Sequence, residues 1–278
     1  MYDAVSSMRA PRRRDVEAAV ERLRHLHDGE AAMLAAVAIG QTACAPLAAL
    51  LREREPSGIF QPRCLAAQAL GLLHADALLI DFLRHPRFPD SPIELAGEEA
   101  AVNAAARALG RHRPAAALDL LTEIGRARPH LDGVIEALAG YARAGTIPAL
   151  VAALAEDASR AAAQRGLRAI GKPAQRPLLA IARDGEPDTE THRRQRRAAL
   201  DVLLDIGVPP HSGPALEALI RDAGPSIAAV ACGVALRFGP AALATEAGER
   251  LASLDRHAQF GLAIEIAGIR RRIVRAGP

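Results

Sequence analysis

The sequence predicts an all-helical protein, a right-handed α-α superhelix in which about seven helical pairs stack as an α-solenoid. Hydrophobic residues make up 50% of the 278 residues, but aromatic residues make up only 3% and tryptophan is absent. Alanine and leucine must therefore fill most of the core, and both are strong helix formers. No segment alternates apolar and polar residues with the period of two that is typical of strands. An internal repeat is the third observation.

Four segments align as apolar helical stretches that end in Leu-Gly or Ile-Gly: 63–71, 102–110, 163–171 and 199–207. A glycine after a helix is common because the closing residue often takes a positive φ, which glycine tolerates best. We therefore predict helix ends at positions spaced by roughly 30 to 40 residues, the range of helical-pair repeats. These positions are Gly40, Gly71, Gly110, Ala142, Gly171, Gly207 and Gly239.

A short turn and a second apolar helix follow these positions. The second helices begin near Pro46, Pro148, Pro177 and Pro214. Proline is favoured in the first turn of a helix, where no backbone hydrogen bond is lost. One helical pair cannot bury both of its faces, so successive pairs are expected to stack, with the second helices lining a concave surface.

The predicted organisation is a single domain from residue 14 to 278 behind a flexible basic tail (1–13). It comprises a capping helix (14–29), the repeats (30–251) and a degenerate last repeat or cap (252–278). The capping helix carries Val16, Val20, Leu23 and Leu26 on one side. Such a helix would cover the apolar end of the array.

The pattern R-x-x-A-A-x-A-L-G, a turn, and P-A-L-x-x-x-L resembles the bacterial HEAT-like repeat family, including the type named after phycobilisome lyases. Residues 63–71 carry the best match, and the resemblance extends over about 30–251. Ala142 departs from the pattern where glycine is expected, and the last two repeats are blurred. The resemblance implies an α-solenoid, but the family serves many roles, so it implies little about function.

The sequence gives no indication of catalysis, a cofactor or a metal site. The nine histidines are scattered, and no HExxH or CxxC…HxxxH spacing occurs. Nucleotide-binding patterns such as GxGxxG and GxxxxGK[ST], and the GxSxG elbow, are also absent. We therefore expect no catalytic, cofactor-binding or metal-binding residue, and a protein that is not an enzyme.

Other features favour a cytoplasmic protein without a membrane span. Cys44, Cys64 and Cys232 lie far apart and form no CxxC, as expected of small apolar residues in a reducing compartment. The N-terminus lacks the apolar segment of a secretory signal. Residues 31–51 carry no charge, but the repeat pattern divides them into two buried helices near Gly40.

The first break in the repeat is 85–99, where Pro86, Pro89 and Pro92 oppose a regular helix. Phe88 and Ile93 supply apolar side chains in this segment. Two interpretations remain open from the sequence: a tolerated surface loop, or a lip that contacts a partner.

The second break is the acidic stretch 184–192, which leads directly into Arg193, Arg194, Arg196 and Arg197. Arginines in a first helical turn oppose the helix dipole, which hints at an anionic or acidic partner. The alternative is a solvated face whose arginines form ion pairs with the acidic loop.

Three functions follow as hypotheses. The first is a non-catalytic scaffold that binds another protein through its concave face. The second is binding of a nucleic-acid backbone, suggested by a pI of about 9.1 together with Arg107, Arg165, Arg168 and the arginines of 193–197. The third, implied by the resemblance alone, is an enzyme or accessory of the chromophore-lyase type. The predicted partner-binding residues are Arg193, Arg194, Arg196, Arg197, Arg107, Arg168, Phe88 and Ile93.

Overall fold

The computed structural model describes residues 13–25, 27–54, 58–185 and 188–275, which form sixteen α-helices and no strand. The all-helical prediction is confirmed. The chain divides into two compact units, Met1–Leu121 and Thr122–Pro278, and the division falls within α7. The first eight helices are α1 (Arg13–Glu21), α2 (Gly29–Ile39), α3 (Cys44–Arg52), α4 (Gln61–Leu72), α5 (Asp76–Arg84), α6 (Pro92–His112), α7 (Leu118–Ala127) and α8 (Asp132–Tyr141). The others are α9 (Ile147–Ala153), α10 (Arg160–Ile170), α11 (Gln175–Arg183), α12 (Glu190–Ile206), α13 (Gly213–Ile220), α14 (Pro225–Phe238), α15 (Ala241–Arg256) and α16 (Phe260–Arg275).

Within each unit, the helices pack as successive pairs. In the first unit α2 packs on α4 and α4 on α6, while α3 contacts α5. In the second unit α8, α10, α12 and α14 pack side by side in that order, and their partners α9, α11, α13 and α15 do the same. The core of each unit consists mainly of leucine, alanine, valine and isoleucine side chains. Small side chains allow this close approach of helices.

The turns inside the pairs follow one plan. A residue with positive φ follows the first helix, and a short 3-10 turn then leads into the second; this residue is Gly40, Arg113, Ala142 or Gly171. Pro46, Pro148, Pro177 and Pro214 lie in the first turns of α3, α9, α11 and α13, as predicted. The turn chemistry read from the sequence is therefore correct for most of the pairs.

Gly71 and Gly110 do not end helices, which corrects two of the predicted boundaries. α4 continues to Leu72 and the positive φ falls on His74, whereas α6 continues to His112. Gly71 serves another purpose, because a Cβ atom there would lie 2.7 Å from the Cβ of Ala108. The glycine therefore lets α4 approach α6 closely.

Ala142 has a φ of 48°, a conformation that costs a non-glycine residue about 1–2 kcal/mol. We expect Ala142→Gly to raise the free energy of unfolding by about 1 kcal/mol, measured by urea denaturation. Ala180→Gly, on the exposed face of α11, is the matched control and should lower it by about 0.5–1 kcal/mol. A lower free energy of unfolding in Ala142→Gly would show that the positive φ of Ala142 does not destabilise the protein.

In the N-terminal segment, α1 ends at Glu21 and a 3-10 turn follows, so the helix is shorter than the predicted 14–29. Val16, Val20 and Leu23 are buried, while Leu26 lies outside the described residues. The uncharged stretch 31–51 forms α2 and α3, which meet at 118°. In the described ranges no single helix is long and apolar enough to cross a membrane. Taken together, the bent pair of α2 and α3 has the length and composition of a membrane span.

Both breaks in the repeat are shorter than predicted. Residues 85–91 are irregular, but α6 begins at Pro92, because proline is compatible with a first helical turn. α12 begins at Glu190, and its N-cap residue Thr189 accepts a hydrogen bond from the backbone N–H of His192 at 3.2 Å. The first turn therefore carries a glutamate that suits the helix dipole, with most of the arginines further along.

Candidate functional site

Three buried or half-buried arginines occupy equivalent positions in three pairs. Each lies eleven residues before the positive-φ residue that follows its helix: Arg63 before His74, Arg160 before Gly171, and Arg196 before Gly207. Their Nε atoms donate to carbonyl groups of the preceding pair, those of Leu51 (2.8 Å), Leu154 (2.8 Å) and Ala182 (2.9 Å). These arginines therefore satisfy carbonyl groups at or just beyond the C-termini of α3, α9 and α11.

Arg196, one of the predicted partner-binding residues, has this structural role. Its side chain is buried, and its Nη2 donates to Oδ2 of Asp222 at 2.5 Å. With its Nε also bound to Ala182, Arg196 connects α11, α12 and the segment after α13. The guanidinium of Arg196 is therefore held inside the chain, which gives its predicted contact with a partner little support.

Arg193 and Arg194 are exposed and Arg197 is half-buried, but each of the three forms ion pairs within the chain. Arg193 lies 3.4 Å from Asp188, Arg194 donates to Glu190 at 2.9 Å, and Arg197 lies 3.2 Å from Glu265. The acidic loop and α16 thus neutralise much of the positive charge on α12. Ion pairs of this kind are expected of a solvated face whose arginines pair with acidic residues of the chain, which is the alternative interpretation of this segment.

Arg168 belongs to a related group of charges. Its Nε donates to Asp205 at 2.6 Å, and Asp205 also binds Arg272 from α16. Burial raises the pKa of Asp205, but the hydrogen bonds and charges of Arg272 and Arg168 together outweigh burial, so the net shift is downward. The carboxylate therefore stays ionised and compensates both arginines. Arg107, the remaining predicted arginine, is exposed on α6.

The first unit contains a cleft of about 130 Å³, where the ends of α3 and α5 meet the starts of α4 and α6. Arg63 and Glu98 form an ion pair in its wall, with 2.5 Å between Nη2 and Oε2, and each side chain is more than nine-tenths buried. The guanidinium carbon of Arg63 lies 6.0 Å from the ring centre of Phe82, which also lines the cleft. Arg63 is therefore fixed on several sides.

The segment 85–91 borders this cleft. The backbone N–H of Arg87 donates to Oε1 of Glu98 at 2.8 Å, which ties the segment to α6. Arg87 and Pro89 both line the cleft, and Phe88 between them is half-buried. The segment is therefore fixed against α6, and its role as a lip that contacts a partner stays a prediction.

An apolar surface adjoins the cleft along α6. Ile93 is 55% exposed, and Ile59 and Phe60 are 42% and 37% exposed. A Cβ atom at Gly58 would lie 3.0 Å from Cγ2 of Ile93, which places 58–60 next to the start of α6. We call Ile59, Phe60 and Ile93 the apolar rim. The sequence indicated only Ile93, because exposure of Ile59 and Phe60 depends on the packing of α4 against α6.

The cysteines offer no reactive thiol. Burial raises the pKa of the Cys232 thiol to about 12, and burial also raises the pKa values of Cys44 and Cys64. A thiol with a raised pKa is protonated at neutral pH and is a poor nucleophile. Within 13–25, 27–54, 58–185 and 188–275, no group of three or more His, Cys, Asp or Glu residues could hold a metal ion.

No protein-family model matches this chain, and no curated protein matches it significantly.

Proposed function

We propose that this chain is a non-catalytic helical-repeat scaffold of the HEAT-like type, a right-handed α-α superhelix that binds another protein. The side-by-side packing of successive pairs within each unit supports the repeat architecture. The arginine equivalence among Arg63, Arg160 and Arg196 supports it further, because a recurring contact at a fixed position is typical of repeated units.

The proposal that this chain binds another protein rests on the apolar rim. Ile59, Phe60 and Ile93 expose large apolar side chains beside a cleft lined by charged groups. Apolar surface of this kind, bordered by polar residues, is typical of contacts between proteins. The proposed contact therefore includes Ile93 and Phe88 from the sequence prediction and adds Ile59 and Phe60.

Nucleic-acid binding has weaker support. Backbone recognition requires arginines whose charge is available to phosphates. Arg168, Arg193, Arg194 and Arg197 instead pair with carboxylates of this chain. No observation in the described residues favours the chromophore-lyase alternative.

We expect Ile93→Asp to abolish capture of the partner from native lysate of the source cells, because a carboxylate on the apolar rim would be desolvated in the complex. The measurement is capture by the immobilised full chain with nuclease present, followed by identification of a protein crosslinked through a photoreactive residue at position 60. Nuclease-sensitive capture would instead indicate nucleic acid.

Leu34→Asp is the matched control, since Leu34 is 59% exposed on α2 outside the apolar rim. This variant should capture the partner as well as the wild type. Equal capture by the wild type and Ile93→Asp would contradict the proposed contact. Circular dichroism on both variants separates loss of binding from loss of fold.

A further inference from the structure

Arg63 has hydrogen-bond donors that are not used by the described residues. Its Nε binds Leu51 and its Nη2 binds Glu98, but its Nη1 has no acceptor among the described residues. Arg63 is one of the residues that line the cleft, and its side chain is 8% exposed. Because the rest of the guanidinium is held from behind, these N–H groups are preorganised to bind an acceptor inside the cleft.

Among the described residues, the charges that line the cleft leave a small positive excess. Arg52 pairs with Asp81, Glu53 with Arg24, and Arg63 with Glu98. The side chains of Arg54 and Arg87 also line the cleft and have no carboxylate partner among the described residues. Of the described carboxylates that line the cleft, Glu94 alone forms no ion pair with a described residue. This excess suits an anion with one charge better than a phosphate group, which carries about −1.5 to −2 at neutral pH.

The apolar rim runs beside the charged cleft on the same helix. Glu94 and Glu98 lie one turn apart on α6 and line the cleft. Ile93 and Gly97 precede them by one residue each, and a Cβ atom at Gly97 would lie 3.6 Å from Cβ of Phe60. The two surfaces are therefore adjacent strips of α6. A ligand that fills both needs an anionic group next to an apolar one.

We propose that the cleft binds a carboxylate of the partner protein, presented beside an apolar side chain that packs on the apolar rim. The carboxylate accepts hydrogen bonds from Arg63 Nη1 and ion-pairs with Arg54 and Arg87. A volume of about 130 Å³ admits a carboxylate and a few waters, but not a bulky ring system. The inference rests on the proposed function and specifies the chemistry of the partner's anchor.

The test uses thermal unfolding of the full chain with 4-methylpentanoate, which joins a carboxylate to a branched apolar tail. Its amide and inorganic phosphate serve as the other probes at matched ionic strength. At a concentration of about ten times Kd, the carboxylate is expected to raise the unfolding midpoint by about 2 °C. The amide and phosphate should give less than half of this shift. An equal shift with the amide or with phosphate would overturn the proposal.

Three variants test which residues bind the probe. Arg54→Gln/Arg87→Gln should weaken 4-methylpentanoate binding about tenfold or more, because it removes two charge-assisted contacts. Arg165→Gln/Arg183→Gln removes the same charge from exposed positions in the second unit and should leave binding unchanged. Glu94→Gln should tighten binding by removing a repelling carboxylate. An unchanged Kd in the first and third variants would refute the assignment.

The outcomes separate this inference from the proposed function. If 4-methylpentanoate binding does not depend on Arg54 and Arg87 while Ile93→Asp still abolishes capture, the carboxylate site is wrong and the scaffold remains supported. If the probe binds as expected but no protein is captured, the cleft is an anion site and the protein-binding function is wrong.

Discussion

Replacing Arg63 with methionine is expected to lower the free energy of unfolding by about 3–5 kcal/mol. The substitution removes the cation beside Glu98, whose side chain is only 7% exposed, and leaves that charge buried without compensation. It also removes the donor to the Leu51 carbonyl at the C-terminus of α3. Equilibrium urea denaturation, followed by circular dichroism, measures the loss.

Arg63→Met/Glu98→Gln should recover most of that stability. Glutamine is neutral and keeps the oxygen that accepts the N–H of Arg87, so no buried charge remains. Arg84→Met, at an exposed position on α5, is the control and should change stability by no more than about 0.5 kcal/mol. A loss below about 1 kcal/mol in Arg63→Met would show that the pair behaves as a surface ion pair.

Gly166→Ala is expected to destabilise the second unit by about 1–3 kcal/mol, although alanine is the better helix former. A Cβ atom at Gly166 would lie 2.8 Å from Cα of Ala139 on α8 and 3.0 Å from a methyl carbon of Leu150. Backbone atoms cannot move aside as a flexible side chain can, so α10 and α8 must separate. Urea denaturation again provides the measurement.

Gly268→Ala is the matched control, and the same substitution is expected to change stability in the opposite direction there. Gly268 lies inside α16, and a Cβ atom there would meet nothing within 4 Å. The variant should gain about 0.5–1 kcal/mol, since alanine restricts the unfolded chain. If both glycine variants gained stability, close packing of α10 on α8 would not be the reason for Gly166.

The sequence predicted the helical class and most of the turns because these depend on local chemistry. Glycine at positive φ and proline in a first turn act over a few residues, and both are seen at Gly171 and Pro177. Gly71 was misread because close helix packing and helix termination favour the same residue. Only the neighbouring helix, which brings Ala108 against it, distinguishes the two reasons.

The candidate site was harder to predict because its residues are distant in the chain. Arg63 and Glu98 are 35 positions apart on separate helices, and no local pattern joins them. The charges around Arg193 and Arg194 were visible, but their partners include Asp157, from another pair. A run of arginines shows that positive charge exists, whereas its availability depends on which carboxylates the fold brings near.

The arginine contacts at Leu51, Leu154 and Ala182 all point backwards along the chain. Each carbonyl belongs to a pair that is synthesised before the arginine that satisfies it. We therefore expect these carbonyl groups to stay hydrated during translation until the following helix emerges and supplies its arginine. Growth of the chain itself thus finishes one pair at a time from the N-terminal side.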